Sequence, residues 1–211
     1  MPIDSQLDET YSSLGRRVRR YARQARAEGV TVKEVPLLDS YCKTMHNLMQ
    51  TANGGKGIPG QQTYEYYTHF WRTFHEYGSG SLFFAYEGKD VVAGLYAVQR
   101  GASVIYKDGG STAERKSKGA VYYLHAEVMR HYAAQGCTTY DMWGSPPRDA
   151  INDTLHPLYG IGQFKLAFSK EITEYSNGYE VIVNAWRKKL WSLYTERLYK
   201  RCIHWKGENF W

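Results

Sequence analysis

Residues 81–107 read SLFFAYEGKDVVAGLYAVQRGASVIYK, and this stretch decides the architecture. Three runs rich in β-branched and aromatic residues are broken by two short turns. Ser81–Glu87 and Asp90–Gln99 are joined by Gly88–Lys89, the length and composition of a tight hairpin. A second turn at Arg100–Gly101 leads into a third strand, Ala102–Lys107. Three consecutive strands with such short links can only run antiparallel, as a meander.

Beyond the meander the period changes. A loop, Asp108–Lys118, precedes a helix from Gly119 to Gln135 whose inner face is Tyr122, Leu124, Val128, Met129 and Tyr132; Gly136 ends it. Thr138–Trp143 (TTYDMW) reads as a strand, Gly144–Pro157 as an irregular loop, and Leu158–Ser169 includes a short helix. Glu171–Asn184 is expected to be a strand or hairpin. Ala185–Trp205 is expected to be a closing helix with Trp186, Leu190, Leu193, Tyr194 and Leu198 along one side.

Upstream, Thr63 caps an aromatic helix at 64–77, after a glycine-rich loop at 53–62. Residues 37–52 have Leu38, Tyr41, Cys42, Met45, Leu48 and Met49 at helical spacing, and Thr31–Val35 is a short strand stopped by Pro36. Residues 12–28 form an amphipathic helix. Val18, Tyr21, Ala22 and Ala25 share one face, and Arg16, Arg19, Arg20, Arg23 and Arg26 fill the other. Ser12 or Ser13 is placed to cap it, and Gly29 to stop it.

A meander followed by a strand–helix–strand unit is a mixed α/β layout. It resembles the Gcn5-related N-acetyltransferase (GNAT) fold, a mixed sheet flanked by helices, here expected in a single copy. In that fold the third meander strand feeds a helix whose N-terminus receives a pyrophosphate. Three parts are expected: a basic helical arm (1–34), the acetyltransferase-like domain (35–185) and a basic aromatic C-terminal helix (186–211).

Composition narrows the function class. At 43% hydrophobic and 15% aromatic against 23% charged residues, the chain can bury a full core and is not a disordered protein. No run approaches the roughly 18 apolar residues of a membrane span, and MPIDSQLDET has no secretory signal pattern. Cys42, Cys137 and Cys202 are far apart and form no metal or disulfide spacing, so reduced thiols in a cytoplasmic protein are expected. The net charge of +6 is concentrated at the ends. Residues 186–211 hold seven Lys/Arg against two acids, and six Arg lie between 16 and 26. Two basic ends suggest a polyanionic partner, though a solvated charged surface accounts for the charge equally well.

No GxSxG elbow, HExxH pattern or catalytic-cysteine signature is present, and neither a metal nor a cofactor is expected. Lys56 lacks the Gly-Lys-Ser/Thr order of a Walker loop. The acetyltransferase pyrophosphate motif, Gln/Arg-x-x-Gly-x-Gly/Ala, is only half met by Arg115–Val121 (RKSKGAV), where Val121 stands in place of the last small residue. Arg115, Lys116 and Lys118 could still hold an anion there.

An ordered set of stretches resembles the FemABX group of aminoacyl-tRNA-dependent peptidyltransferases. They are the basic Ser13–Val30, Tyr64–Phe74, Leu82–Leu95, Tyr106–Ser111, Ala120–Glu127 (AVYYLHAE), Gly136–Gly144 (GCTTYDMWG) and Tyr159–Phe168 (YGIGQFKLAF). The last three are similar to the family's Tyr-Leu-Leu-x-x-Glu, Gly-x-x-x-Tyr-Asp-Phe-x-Gly and Gly-Leu-x-x-Phe-Lys-x-x-Phe segments. The resemblance covers residues 12–184 and implies aminolysis of the ester joining an amino acid to tRNA, without a covalent enzyme intermediate. It implies that Lys165 sits near the tRNA end and the developing oxyanion, and that Phe164 stacks on the terminal adenosine. A core aromatic followed by a surface lysine is the competing reading of that pair. Asp141 would orient or deprotonate the acceptor amine, or else merely cap a turn. Arg72 would meet the acceptor's phosphate or carboxylate, against the alternative of a salt bridge with Glu76. Tyr106 and Ser111 would border the same cleft. The arginines of 16–26, with Lys188 and Lys189, would contact tRNA phosphates.

Typical members carry two copies of the domain and bind a UDP-linked muramyl peptide largely through the first, whereas only about 34 residues precede the copy here. The expected acceptor is therefore smaller: a peptide or peptidyl-nucleoside antibiotic precursor, free or on a carrier protein, as for the short transferase type of pacidamycin assembly. The native-looking start at Met1 argues mildly against a fragment. An acyl-CoA-dependent N-acyltransferase and a non-catalytic RNA-binding module remain as alternatives.

Overall fold

The structure, a computed structural model, describes residues 1–3, 11, 14–51, 62–175, 178–195 and 198. The meander forms where the hairpin signals place it: β2 (Gly80–Glu87), β3 (Asp90–Arg100) and β4 (Ser103–Ser111) are antiparallel neighbours. On one side β1 (Val30–Val35) pairs antiparallel with β2; on the other, β5 (Thr139–Asp141) pairs parallel with β4, giving the order β1-β2-β3-β4-β5. Pro2 bridges to Thr139 on the far side of β5.

Helices cover both faces. The helices α1 (Arg16–Ala27) and α4 (Ala120–Ala134) lie on one side, where Val18, Ala22, Ala25, Leu124 and Met129 meet Phe83, Leu95 and Val104. The helices α2 (Asp39–Thr51) and α3 (Tyr64–Glu76) lie on the other, where Met45, Leu48 and Trp71 meet Leu82, Phe84 and Tyr96. Double coverage explains why Val92–Val98 is buried without interruption rather than alternately. Thr63 does cap α3, its hydroxyl accepting from the Tyr66 amide at 3.3 Å. Cys42 and Cys137 are buried and free. No helix among the described residues is long and apolar enough to cross a membrane.

Three readings need correction. First, β4 runs on to Ser111 rather than stopping at Lys107. Asp108 looked like a breaker, but it is buried and accepts a hydrogen bond from the Trp71 indole at 2.9 Å. A side chain at Gly110 would stand 2.4 Å from the Leu48 backbone, so the glycine admits α2 close to the strand. Second, the strand at 138–143 shrinks to three residues. Third, residues 171–175 and 178–184 form no strand, and Val181, Ile182 and Val183 stay exposed; an apolar run without a free sheet edge beside it has nothing to pair with. The expected closing helix is helical over its described residues, α6 (Ala185–Leu190) passing into a π-helical stretch, Trp191–Thr195. Its apolar side is uncovered, Trp186 being 73% exposed. Leu38 is also exposed, outside α2. Ser12, Ser13, the loop at 53–61, Cys202, His204 and the tail aromatics Trp205, Phe210 and Trp211 lie outside the described residues.

Candidate active site where β4 and β5 diverge

The parallel pairing of β4 with β5 lasts only from Ser103–Ile105 against Thr139–Asp141. Beyond Ile105, β4 continues for six residues while the chain leaves β5, and the two part company. The helix α5 (Tyr159–Leu166) brings Lys165 to this fork. Its ammonium donates to the Gly144 carbonyl and lies 5.5 Å from the centre of the Tyr106 ring, a cation–π contact. Burial lowers the Lys165 pKa to about 8, with Asp141 pulling in the opposite direction. Asp141 and Lys165 line one cleft of about 970 Å³.

Beneath them is an aromatic floor. The Tyr106 ring is edge-on to His125, centroids 4.6 Å apart, and a Cβ on Gly109 would come within 2.2 Å of its hydroxyl. Gly109 is thus the gap into which the phenol fits. His125 is fully buried, its Nδ1 3.1 Å from the Tyr140 hydroxyl. Burial first, and then the nearby Lys165 charge, push its pKa to about 3, so it is neutral at pH 7. Burial likewise raises Tyr106 and Tyr140 well above the ordinary phenol range. Phe164 is half-buried, its ring within 5.1 to 5.4 Å of Tyr122, Phe168 and His125.

The rim is strained. Trp143 has φ of +60°, a left-handed conformation that costs a bulky residue roughly 1–2 kcal/mol. Two bonds hold it: the Asp141 carboxylate accepts from the Trp143 amide at 2.8 Å, and the next carbonyl, Gly144, accepts from Lys165. The indole is 54% exposed and lines the cleft. An ammonium and a carboxylate on one cleft can stabilise an oxyanion and take a proton from an attacking amine.

The front of α4 is the other place where chemistry was expected. There the Glu87 carboxylate accepts from the backbone amides of Lys116 and Ser117, at 2.9 and 2.7 Å. A Cβ at Gly119 would meet the Tyr21 carbonyl of α1 at 2.2 Å, so α1 closes tightly over the same turn.

A family model described as an acetyltransferase (GNAT) domain matches residues 12–149. The chain belongs to this family. No curated protein matches the sequence. Among solved structures, FemX is similar in fold at a TM-score of 0.66 and 20% identity, over 78% of this chain and 56% of its own. An aminoglycoside N-acetyltransferase, AAC(6')-Iy, in complex with CoA gives 0.52 and 12%, over 72% and 94%. L-PGS from Bacillus licheniformis gives 0.51 and 13%, over 79% and 55%. The chain spans little more than half the length of FemX and of L-PGS, and at these identities the likeness shows the fold.

Lys165, Phe164, Asp141 and Tyr106 come together at the fork, the first two beyond the residues that the family model matches. Ser111 lies at the far end of β4, its hydroxyl accepting from Arg115 at 3.3 Å. Arg72 sits with the α2–α3 layer across the sheet and pairs with Asp39 at 3.4 Å instead of Glu76. On α1, Arg16, Arg20, Arg23 and Arg26 are exposed and Arg19 is half-buried. Lys188 pairs with Glu180 at 2.6 Å, and Lys189 is exposed. Among the described residues no group of three or more His, Cys, Asp and Glu is placed to hold a metal. Three residues were missed. His125 looked like one of several unremarkable histidines, and Glu87 like the end of a strand. Trp143 gave no glycine-type signal for its turn; the only hint was a large apolar ring immediately before Gly144.

Proposed function

We propose that the chain is a GNAT-type acyltransferase whose donor is aminoacyl-tRNA and whose acceptor is the amine of a peptide or peptide-antibiotic precursor, free or carrier-bound. Glu87 carries the choice of donor. Two amides of the turn that leads into α4, Lys116 and Ser117, beside which an acyl-CoA pyrophosphate would dock, are taken by this internal carboxylate. A second anion there would meet like charge. The acyl ester of tRNA needs no pyrophosphate at that helix.

In this reading the ester carbonyl lies beside Lys165, whose ammonium stabilises the oxyanion as the amine attacks. Asp141 accepts the amine proton, and the tRNA 3′ oxygen leaves with the electron pair. The cleft of about 970 Å³ is within the range that encloses a drug-sized ligand. The resemblance to FemABX segments and the FemX-like fold support the same donor. An acyl-CoA donor is the second reading, supported by the CoA-bound aminoglycoside N-acetyltransferase of similar fold; Glu87 counts against it.

The test is transfer from radiolabelled aminoacyl-tRNAs to small peptide amines. Amide product should form, and Lys165→Ala should slow it by about 10²–10³-fold, the usual effect of removing an oxyanion partner. Product from acetyl-CoA and none from aminoacyl-tRNA would refute the proposal.

A further inference from the structure

We infer that Trp143 is a stacking platform for an unpaired nucleobase that carries an exocyclic amine. This rests on the proposed tRNA-dependent reading and names a contact within it. Three observations carry it. The indole is 54% exposed on the lining of the cleft, not folded into the core. Its backbone is held in the left-handed region from both sides, by Asp141 and, through Gly144, by Lys165. The residues that make this strain are therefore those at the reaction fork, and the backbone that carries the ring is fixed relative to them. Finally, the same lining carries Asp141, Glu171 and Glu174, with Arg148 3.6 Å from Glu174.

An exposed indole takes a flat π-face, and every base has one. Carboxylates on the same lining accept hydrogen bonds from amino groups, which adenine and cytosine present and uracil does not. The unpaired CCA end of a tRNA consists only of amino-bearing bases. The platform would set the terminal base beside Lys165, so that the ester on its ribose reaches the ammonium. Phe164, the ring expected to stack, instead meets Tyr122, His125 and Phe168.

The experiment measures binding of labelled RNA hairpins to the full chain at one salt concentration. One hairpin ends in unpaired CCA, one in UUU, and one is blunt. Free adenosine, cytidine and uridine form a second arm. Wild type should prefer CCA over the blunt hairpin by about tenfold, within the range that stacking of a base supplies, and over UUU through the hydrogen bonds of the amino groups to the carboxylates. Trp143→Phe should keep most of that preference and Trp143→Ala should abolish it. Trp143→Gly should abolish it while raising the melting temperature, because glycine relieves the left-handed strain. That opposite movement separates a binding role from a structural one. A preference that survives Trp143→Ala overturns the inference, as does wild-type RNA binding indifferent to the 3′ end. If no hairpin binds, the tRNA reading fails by itself. Trp143-dependent binding of adenosine or cytidine would then keep the platform and assign it to a nucleoside ligand, and no nucleoside binding would overturn it.

Discussion

An ammonium with a pKa near 8 is a cation at neutral pH and loses its charge within the range where enzymes are assayed. If Lys165 acts as a cation, activity is present below that pKa and is lost as pH rises through it. The wild-type kcat/KM for transfer should therefore fall above about pH 8. Lys165→Arg, with a group that stays charged, should shift that fall to far higher pH at a reduced plateau. A fall at the same pH in the variant would remove Lys165 from the step. His125 makes a stability prediction. Its folded pKa of about 3 lies below the ordinary 6.5, so the unfolded chain binds a proton that the folded one refuses. Stability is complete above pH 6.5 and declines as pH falls towards 3, by up to about 1.4 kcal/mol per pH unit. His125→Gln, which can still bond Tyr140, should flatten this part of the denaturation profile between pH 7 and pH 5. An unchanged slope would show that other groups cause it. At this scale, Lys165 and Asp141 were legible because each sits in a recognisable local string of residues. His125 was not, because its burial comes from Tyr106, Tyr140, Phe164 and Phe168, which three different segments bring together.

Among the elements, the meander was readable because its cues are local: alternation, two tight turns and a following helix. The end of β4 was not. Asp-Gly-Gly signals a turn unless something distant uses it, and here Trp71 bonds the aspartate, Tyr106 fills the space at Gly109 and α2 closes on Gly110. Gly110→Val should accordingly cost about 2 kcal/mol, as overpacking does, in urea denaturation; a neutral result would mean that α2 sits further from the strand. The strand expected at 171–184 was misread for the converse reason, since its apolar run, Val181, Ile182 and Val183, stays exposed and meets no covering layer among the described residues. The junction of β2 with α4 supplies a sharper test of the donor. Glu87→Ala frees two amides of the turn that leads into α4. The variant should bind inorganic pyrophosphate at least tenfold more tightly than wild type by calorimetry. Equal affinities would show that Glu87 is not what keeps anions out.

Across the whole molecule, charge and fold carry different information. The GNAT sheet with its two helix layers defines the family, and it is shared by proteins of different substrates. A net +6 concentrated at the two ends suits a long polyanion rather than a small acyl carrier. If about five phosphates are engaged, affinity should fall about a hundredfold between 50 and 200 mM salt. That distribution was legible from the sequence. The fork that would receive the reacting end was not, because it exists only where a parallel pair three residues long comes apart. The most direct measurement is a titration of the purified chain with total aminoacyl-tRNA and, separately, with acetyl-CoA, at two salt concentrations. Micromolar, salt-sensitive binding of tRNA with no response to acetyl-CoA is the predicted result. Binding of acetyl-CoA without binding of tRNA would contradict the account and return the site to the front of α4.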